Sequence, residues 1–254
     1  MKKACLLIIA LLIMFSHAAS AEMVCFGKTE CLLQPAEEQD CMKRYVLFVG
    51  SGDYFSATRK CAELTAKDGM LLIPEGNAEY VLNSRASDRV MEDIRPQLLE
   101  WAGAGCEMVL IGYSSGGYPA VELAKELAEE GYPGQLFILD GANRAYKGVY
   151  YNADFYRKYL TAWTVTICAS EKDTIRIAGN TRVLGEELRE DSNVTYLVYH
   201  KSHNEMKNLA LNILSGSGLP DPVQEVPENT VSDTAGPAAE GKEAAHGTMA
   251  EGAD

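Results

Sequence analysis

The chain has 254 residues and a formal net charge of −13, with 47% apolar and 8% aromatic residues. That length suits one domain or at most two with a packed core. An acidic balance of this size excludes an electrostatic grip on nucleic-acid phosphates and disfavours docking on anionic lipid.

The first 21 residues read as a secretory signal. Lys2 and Lys3 form a positive start, Leu6 to Phe15 a ten-residue apolar run, and Ala19-Ser20-Ala21 a small-x-small cleavage site. The run is too short for a comfortable membrane span. The mature chain is therefore expected to begin at Glu22, to be secreted or periplasmic, and to keep no stable membrane anchor. Residues 22–44 read as an extension carrying Cys25, Cys31 and Cys41, where at least one disulfide is expected. At the other end, 216–254 hold four prolines, no aromatic ring, and eight acids against one lysine. Such a segment buries too little surface to offset its ordering entropy and is expected to be a disordered acidic tail.

Between these ends, over 45–215, strand-like and helix-like runs alternate. Strands are predicted at Tyr45–Val49, Met70–Ile73, Met108–Ile111, Gln135–Leu139, Trp163–Cys168 and Val194–Tyr199. Helices are predicted over 54–67, 86–101, 115–130, 175–190 and 204–214, with Pro96 kinking or starting the second. Strands apolar throughout, alternating with helices, imply an α/β fold: a mostly parallel six-stranded sheet covered on both faces. After the fourth strand the pattern breaks. Residues 141–160 hold Tyr146, Tyr150, Tyr151, Phe155, Tyr156 and Tyr159. They read equally as a helix with an aromatic face on the core or as a short lid lining a substrate cleft.

The chemistry is concentrated at Gly112-Tyr113-Ser114-Ser115-Gly116, a G-x-S-x-G sequence. It lies between a predicted strand and a predicted helix, as required to lift a serine hydroxyl above a sheet on a strained turn. Ser114 is the candidate nucleophile, and the Ser115 N–H a candidate oxyanion donor. A serine needs a base. His203, just after the sixth strand, is the favoured one, with His200 as the alternative; His246 falls in the tail. The acid that orients the base is Asp140, ending the fourth strand, or Asp173, after the fifth. The turn Gly50-Ser51-Gly52-Asp53 is expected to give the second oxyanion donor, from Ser51 or Gly52. Tyr113, Tyr146, Tyr150 and Tyr151 are candidates to line an apolar substrate site. No metal or cofactor is needed for this chemistry. Asn193-Val194-Thr195 is a lone glycosylation sequon.

These residues resemble the α/β-hydrolase superfamily. More narrowly, they resemble the thioesterase domains that release products from nonribosomal peptide and polyketide synthetases. The resemblance covers about 45–214. It is carried by Gly112-Tyr113-Ser114-Ser115-Gly116-Gly117 through Glu122-Leu123-Ala124 to Phe137-Ile138-Leu139-Asp140, and by His203-Asn204-Glu205-Met206. Those thioesterases commonly place the acid at the end of the strand after the nucleophile helix, which implies Asp140. The wider superfamily more often places it after the next strand. There Ala169-Ser170-Glu171-Lys172-Asp173-Thr174-Ile175 is the matching segment, and Asp173 is the preferred assignment. The sequence departs from the pattern in three ways: it carries an export signal, it lacks a histidine-glycine pair at the oxyanion turn, and it leaves no room for the superfamily's first two strands or a large lid. The function implied is an exported serine hydrolase, a carboxylesterase or small lipase. A thioesterase is the second reading, and a non-catalytic binding protein of the same fold a third.

Overall fold

The structure is a computed structural model, and it describes residues 22–26, 29–34, 43–50, 69–74, 92, 94–100, 105–141, 151–171 and 176–222. They belong to a compact unit that ends at Val223; a second unit, Gln224–Asp254, lies outside the described residues, as does the expected signal segment.

The described strands form one eight-stranded sheet: β1 (Glu22–Phe26), β2 (Thr29–Gln34), β3 (Lys43–Phe48), β4 (Gly69–Pro74), β5 (Glu107–Tyr113), β6 (Gly134–Leu139), β7 (Thr164–Ser170) and β8 (Val194–Tyr199). The spatial order is β1-β2-β4-β3-β5-β6-β7-β8. The six predicted strands are β3 to β8, and every pair among them is parallel. Two strands were not expected. β1 and β2 pair antiparallel with each other, and β2 pairs antiparallel with the edge of β4. The expected count of six therefore becomes eight, and much of the extension at 22–44 is sheet. There is room for two leading strands because Phe26 pairs with Thr29, leaving only two residues to connect them. In β2, Thr29, Cys31, Leu32 and Gln34 are buried while Glu30 is exposed, and the strand lies between β1 and β4.

The sheet is buried on both faces because successive side chains point to opposite sides. Val46, Phe48, Met108, Leu110, Leu136, Ile138, Val165 and Ile167 lie on one face. They pack under helices α1 (94–100), α2 (Gly117–Glu129), α3 (Ala153–Tyr159) and α4 (Arg176–Leu188). Tyr45, Leu47, Val109, Ile111, Tyr113, Leu139 and Cys168 lie on the other face, under α5 (His203–Met206) and α6 (Asn208–Leu214). Pro96 sits inside α1, with Ile94 and Leu98 fully buried beside it. The helix predicted at 54–67 lies outside the described residues.

The structure also bears on the segments beside the sheet. Tyr151, Phe155 and Tyr156 follow the core reading of the aromatic stretch. Tyr151 is 1% exposed and stacks on Tyr118 at 5.3 Å. Asn152 caps α3 by accepting the Phe155 N–H, and Asp154 and Lys158 suit the two ends of the helix dipole. Tyr151 is thus a core residue. The packed chain also runs past 215. Leu219 packs on the second face, and the Tyr199 hydroxyl donates to the Pro220 carbonyl. The sequon residue Asn193 is committed to the fold, its amide donating to both the Leu160 and Trp163 carbonyls at 2.9 Å. As for the expected disulfide, Cys25 is an exposed thiol, Cys31 is buried with its sulfur 3.7 Å from the Thr29 carbonyl, and Cys41 lies outside the described residues.

Candidate active site

β5 ends at Tyr113 in extended backbone, and Ser114 then turns to φ +52 before a single 3₁₀ turn leads into α2. A left-handed backbone costs an L-residue about 1–3 kcal/mol and persists only where its surroundings enforce it. The flanking glycines do so. A Cβ at Gly112 would stand 2.7 Å from the Gly117 Cα and 2.8 Å from the Ala120 Cβ, and one at Gly116 would strike the Phe48 carbonyl. Only glycine lets the helix start press against β5 and the end of β3. The turn leaves Ser114 7% exposed, with its hydroxyl raised at the C-terminal edge of the sheet.

His203 opens α5 four residues past β8. Its backbone is fixed by a capping box in which Glu205 accepts from both the Ser202 amide and hydroxyl, at 2.8 and 2.7 Å. The imidazole Nε2 lies 2.8 Å from the Ser114 Oγ, and Nδ1 lies 3.2 Å from the Asp140 Oδ2.

Asp140 follows β6 directly and is likewise left-handed, at φ +44. Its amide donates to the Cys168 carbonyl, and its Oδ1 accepts the Ser170 amide, each at 2.8 Å. Its side chain is completely buried, and it is the one carboxylate among the described buried residues. Burying a charge is costly unless it is paired and hydrogen-bonded. Here the imidazole supplies the pair and Ser170 the bond. Helix α4 steadies both strand ends: the Thr181 hydroxyl donates to the Gly141 carbonyl and the Arg182 guanidinium to the Ser170 carbonyl. Burial, and then the nearby Asp140 charge, push the Cys168 thiol well above its ordinary range, so it stays protonated.

No protein-family model and no curated protein sequence matches the chain. Solved structures do. A dienelactone hydrolase from Anabaena variabilis is 14% identical, with a TM-score of 0.53 over 76% of this chain and 94% of that one. The esterase LipW from Mycobacterium marinum is 12% identical, with a TM-score of 0.54 over 82% of this chain and 85% of that one. An α/β hydrolase from the metagenome of Lake Arreo, Spain, is 12% identical, with a TM-score of 0.53 over 79% and 78%. The chain has the α/β-hydrolase fold. The narrower likeness to synthetase thioesterases is not shown by these structures.

Within this α/β-hydrolase fold, Ser114, His203 and Asp140 come together at the ends of β5, β8 and β6. The acid against Nδ1 is Asp140, whereas the superfamily pattern had favoured Asp173, which lies outside the described residues. His200 is turned away from this group: its Nδ1 meets the Glu171 carboxylate at 2.6 Å on the exposed rim. Ser115 is buried in the turn directly after Ser114. Ser51, Gly52, Tyr146 and Tyr150 lie outside the described residues. Gly50, the last described residue before Ser51, lies close to the serine, since a Cβ on it would stand 2.9 Å from the Ser114 Cβ. Among the described residues, no group of three or more His, Cys, Asp or Glu is arranged to hold a metal ion.

Tyr113, expected to face substrate, is 5% exposed and faces His203 instead. Its hydroxyl donates to the His203 carbonyl at 3.1 Å, and the two rings stack with centroids 5.2 Å apart at 29°. Thr181, Arg182 and Ser170 were missed by sequence reading. All three act through backbone atoms of strand ends, and no local pattern signals such a contact.

Proposed function

We propose that the protein is a serine hydrolase that cleaves a carboxylic ester, acting outside the cytoplasm after export. The observation that carries this reading is the chain of contacts from the buried Asp140 carboxylate through the His203 imidazole to the hydroxyl of a backbone-strained Ser114. Similarity to esterases and a dienelactone hydrolase supports the same reaction class, and Lys2, Lys3 and the apolar run to Phe15 support export.

The Ser114 Oγ attacks the ester carbonyl carbon as its proton passes to the His203 Nε2. Asp140 stays ionised, holds the ring with Nδ1–H toward itself, and stabilises the imidazolium. The oxyanion is held by the Ser115 N–H, at a helix start where amides lack intrahelical acceptors, and by an N–H of the Gly50–Asp53 turn. The intermediate collapses as the carbon–oxygen bond to the leaving alcohol breaks, and the alcohol takes the proton from His203. Water, deprotonated by the same histidine, then releases the acid and restores Ser114.

The test is hydrolysis of a p-nitrophenyl ester series from acetate to laurate, with labelling by a fluorophosphonate probe. Turnover and labelling, both lost in Ser114→Ala, are the expected result. A folded chain that neither turns over nor takes label would leave a non-catalytic binder. One observation favours a thioester as a second substrate class: the acid in contact with His203 ends the strand after the nucleophile helix, the placement that the thioesterase resemblance implies. Acyl thioesters of matched chain length, cleaved faster than the oxygen esters, would select it.

A further inference from the structure

We infer that Tyr113 is a positioning residue for His203, its ring face holding the imidazole on Ser114 and stabilising the imidazolium of turnover, an inference that rests on the serine-hydrolase reading above. Two independent contacts join the residues. The tyrosine hydroxyl donates to the histidine's own carbonyl at 3.1 Å, fixing the backbone of α5 to β5. The rings lie near parallel with centroids 5.2 Å apart, within the roughly 6 Å at which an aromatic face attracts a cation. The tyrosine immediately precedes the nucleophile, so one residue of β5 presents the serine and its neighbour presents a surface for the base. Gly50 leaves space for the Tyr113 ring, because a Cβ there would stand 3.0 Å from its Cε1.

Among the described residues, few other charges lie near this ring. The elements packed around the pair bring Asp140 from β6, Cys168 from β7 and Tyr199 from β8. Burial pushes the pKa of Cys168 and of Tyr199 upward, so both are neutral at working pH. Glu205, on the histidine's own helix, is turned back onto Ser202. Among the described residues, Asp140 is the charge that meets the imidazole along its edge, and the Tyr113 ring meets its face. An attraction that exists only for the protonated ring strengthens as Ser114 gives up its proton, which is the condition for accelerating a step.

The experiment is the pH dependence of fluorophosphonate labelling and of kcat/KM for the full chain, for Tyr113→Phe and for Tyr113→Leu, with Ser114→Ala as the blank. Tyr113→Phe keeps the ring and loses the hydroxyl bond; it is expected to label more slowly with its acidic limb unmoved. Tyr113→Leu loses the ring face. Its acidic limb is expected to move to lower pH by about half to one unit, because the protonated base has lost a stabilising partner. Mere loosening of the core would lower the plateau and leave the limb in place. A limb unmoved in Tyr113→Leu, or moved equally in both variants, overturns the inference while the labelled serine stands. A wild-type chain that takes no label overturns the hydrolase reading and the inference with it. Should Tyr113→Leu not fold, Tyr113→Met, also apolar and without a ring, reads the same limb.

Discussion

Two strands of the sheet end in a left-handed, non-glycine residue, β5 at Ser114 and β6 at Asp140, and the two turns are held in different ways. Around Ser114 the support is the absence of side chains: Gly112, Gly116 and Gly117 let a helix and a neighbouring strand close in. Around Asp140 the support is hydrogen bonding, from its own amide to Cys168 and from Ser170 and His203 to its carboxylate. The first device is written within six consecutive residues. The second uses partners 30 and 63 residues further along the chain. One turn exposes a reactive group and the other buries a charge, which is why one is built from space and the other from bonds.

The comparison breaks most visibly at the reacting atom. Ser114→Ala is expected to lower kcat on a p-nitrophenyl ester by about a millionfold, since triad members act as a unit. Loss of only a few fold would remove Ser114 from the chemistry. Asp140→Asn keeps the shape of its turn but leaves His203 without a charged partner. A fall of about ten-thousandfold is expected, and Asp173→Asn assayed beside it should fall far less. The reverse ranking would move the acid to the turn after β7.

Stability sharpens the contrast. Glycine relieves a left-handed backbone, so Ser114→Gly is expected to change the unfolding free energy by less than about 1 kcal/mol. Asp140→Gly relieves the same strain but strands the Ser170 amide and the imidazole, and should cost about 3 kcal/mol in urea melts. Equal losses would mean that the two turns are held alike. An effect seen only at alkaline pH belongs to Cys168, whose carbonyl receives the Asp140 amide. Its thiol pKa is higher folded than unfolded. The stability this represents is complete below the unfolded thiol's value of about 8.5 and is lost as pH rises above it. Unfolding midpoints should therefore decline above that pH by at most about 1.4 kcal/mol per unit, and Cys168→Ala should flatten the decline.

What could be read from the sequence follows the same division. β3 to β8 declared themselves as apolar runs between turn residues, and the serine turn as glycines between a strand and an amphipathic helix. β1 and β2 did not, because their cysteines suggested a crosslinked extension instead of strands. Asp140 and Asp173 were equally placed after strand ends. Choosing between them needed the position of His203, which is set by the capping box and by packing of Met206 and Leu209 on the sheet. Tyr113 was misread because an aromatic beside a nucleophile suits a substrate wall as well as a histidine's support. Only the fold brings α5 back over β5.

The separation of Ser114 from His203 along the chain also has a consequence in time. His203 follows Ser114 by 89 residues. At ordinary synthesis rates that gap is roughly 5–20 s. Throughout it, the growing polypeptide carries the serine, its glycine turn and then the aspartate, but nothing to take the serine's proton. On the proposed mechanism, a nascent chain is therefore inert toward esters until β8 has been made and α5 has docked behind it.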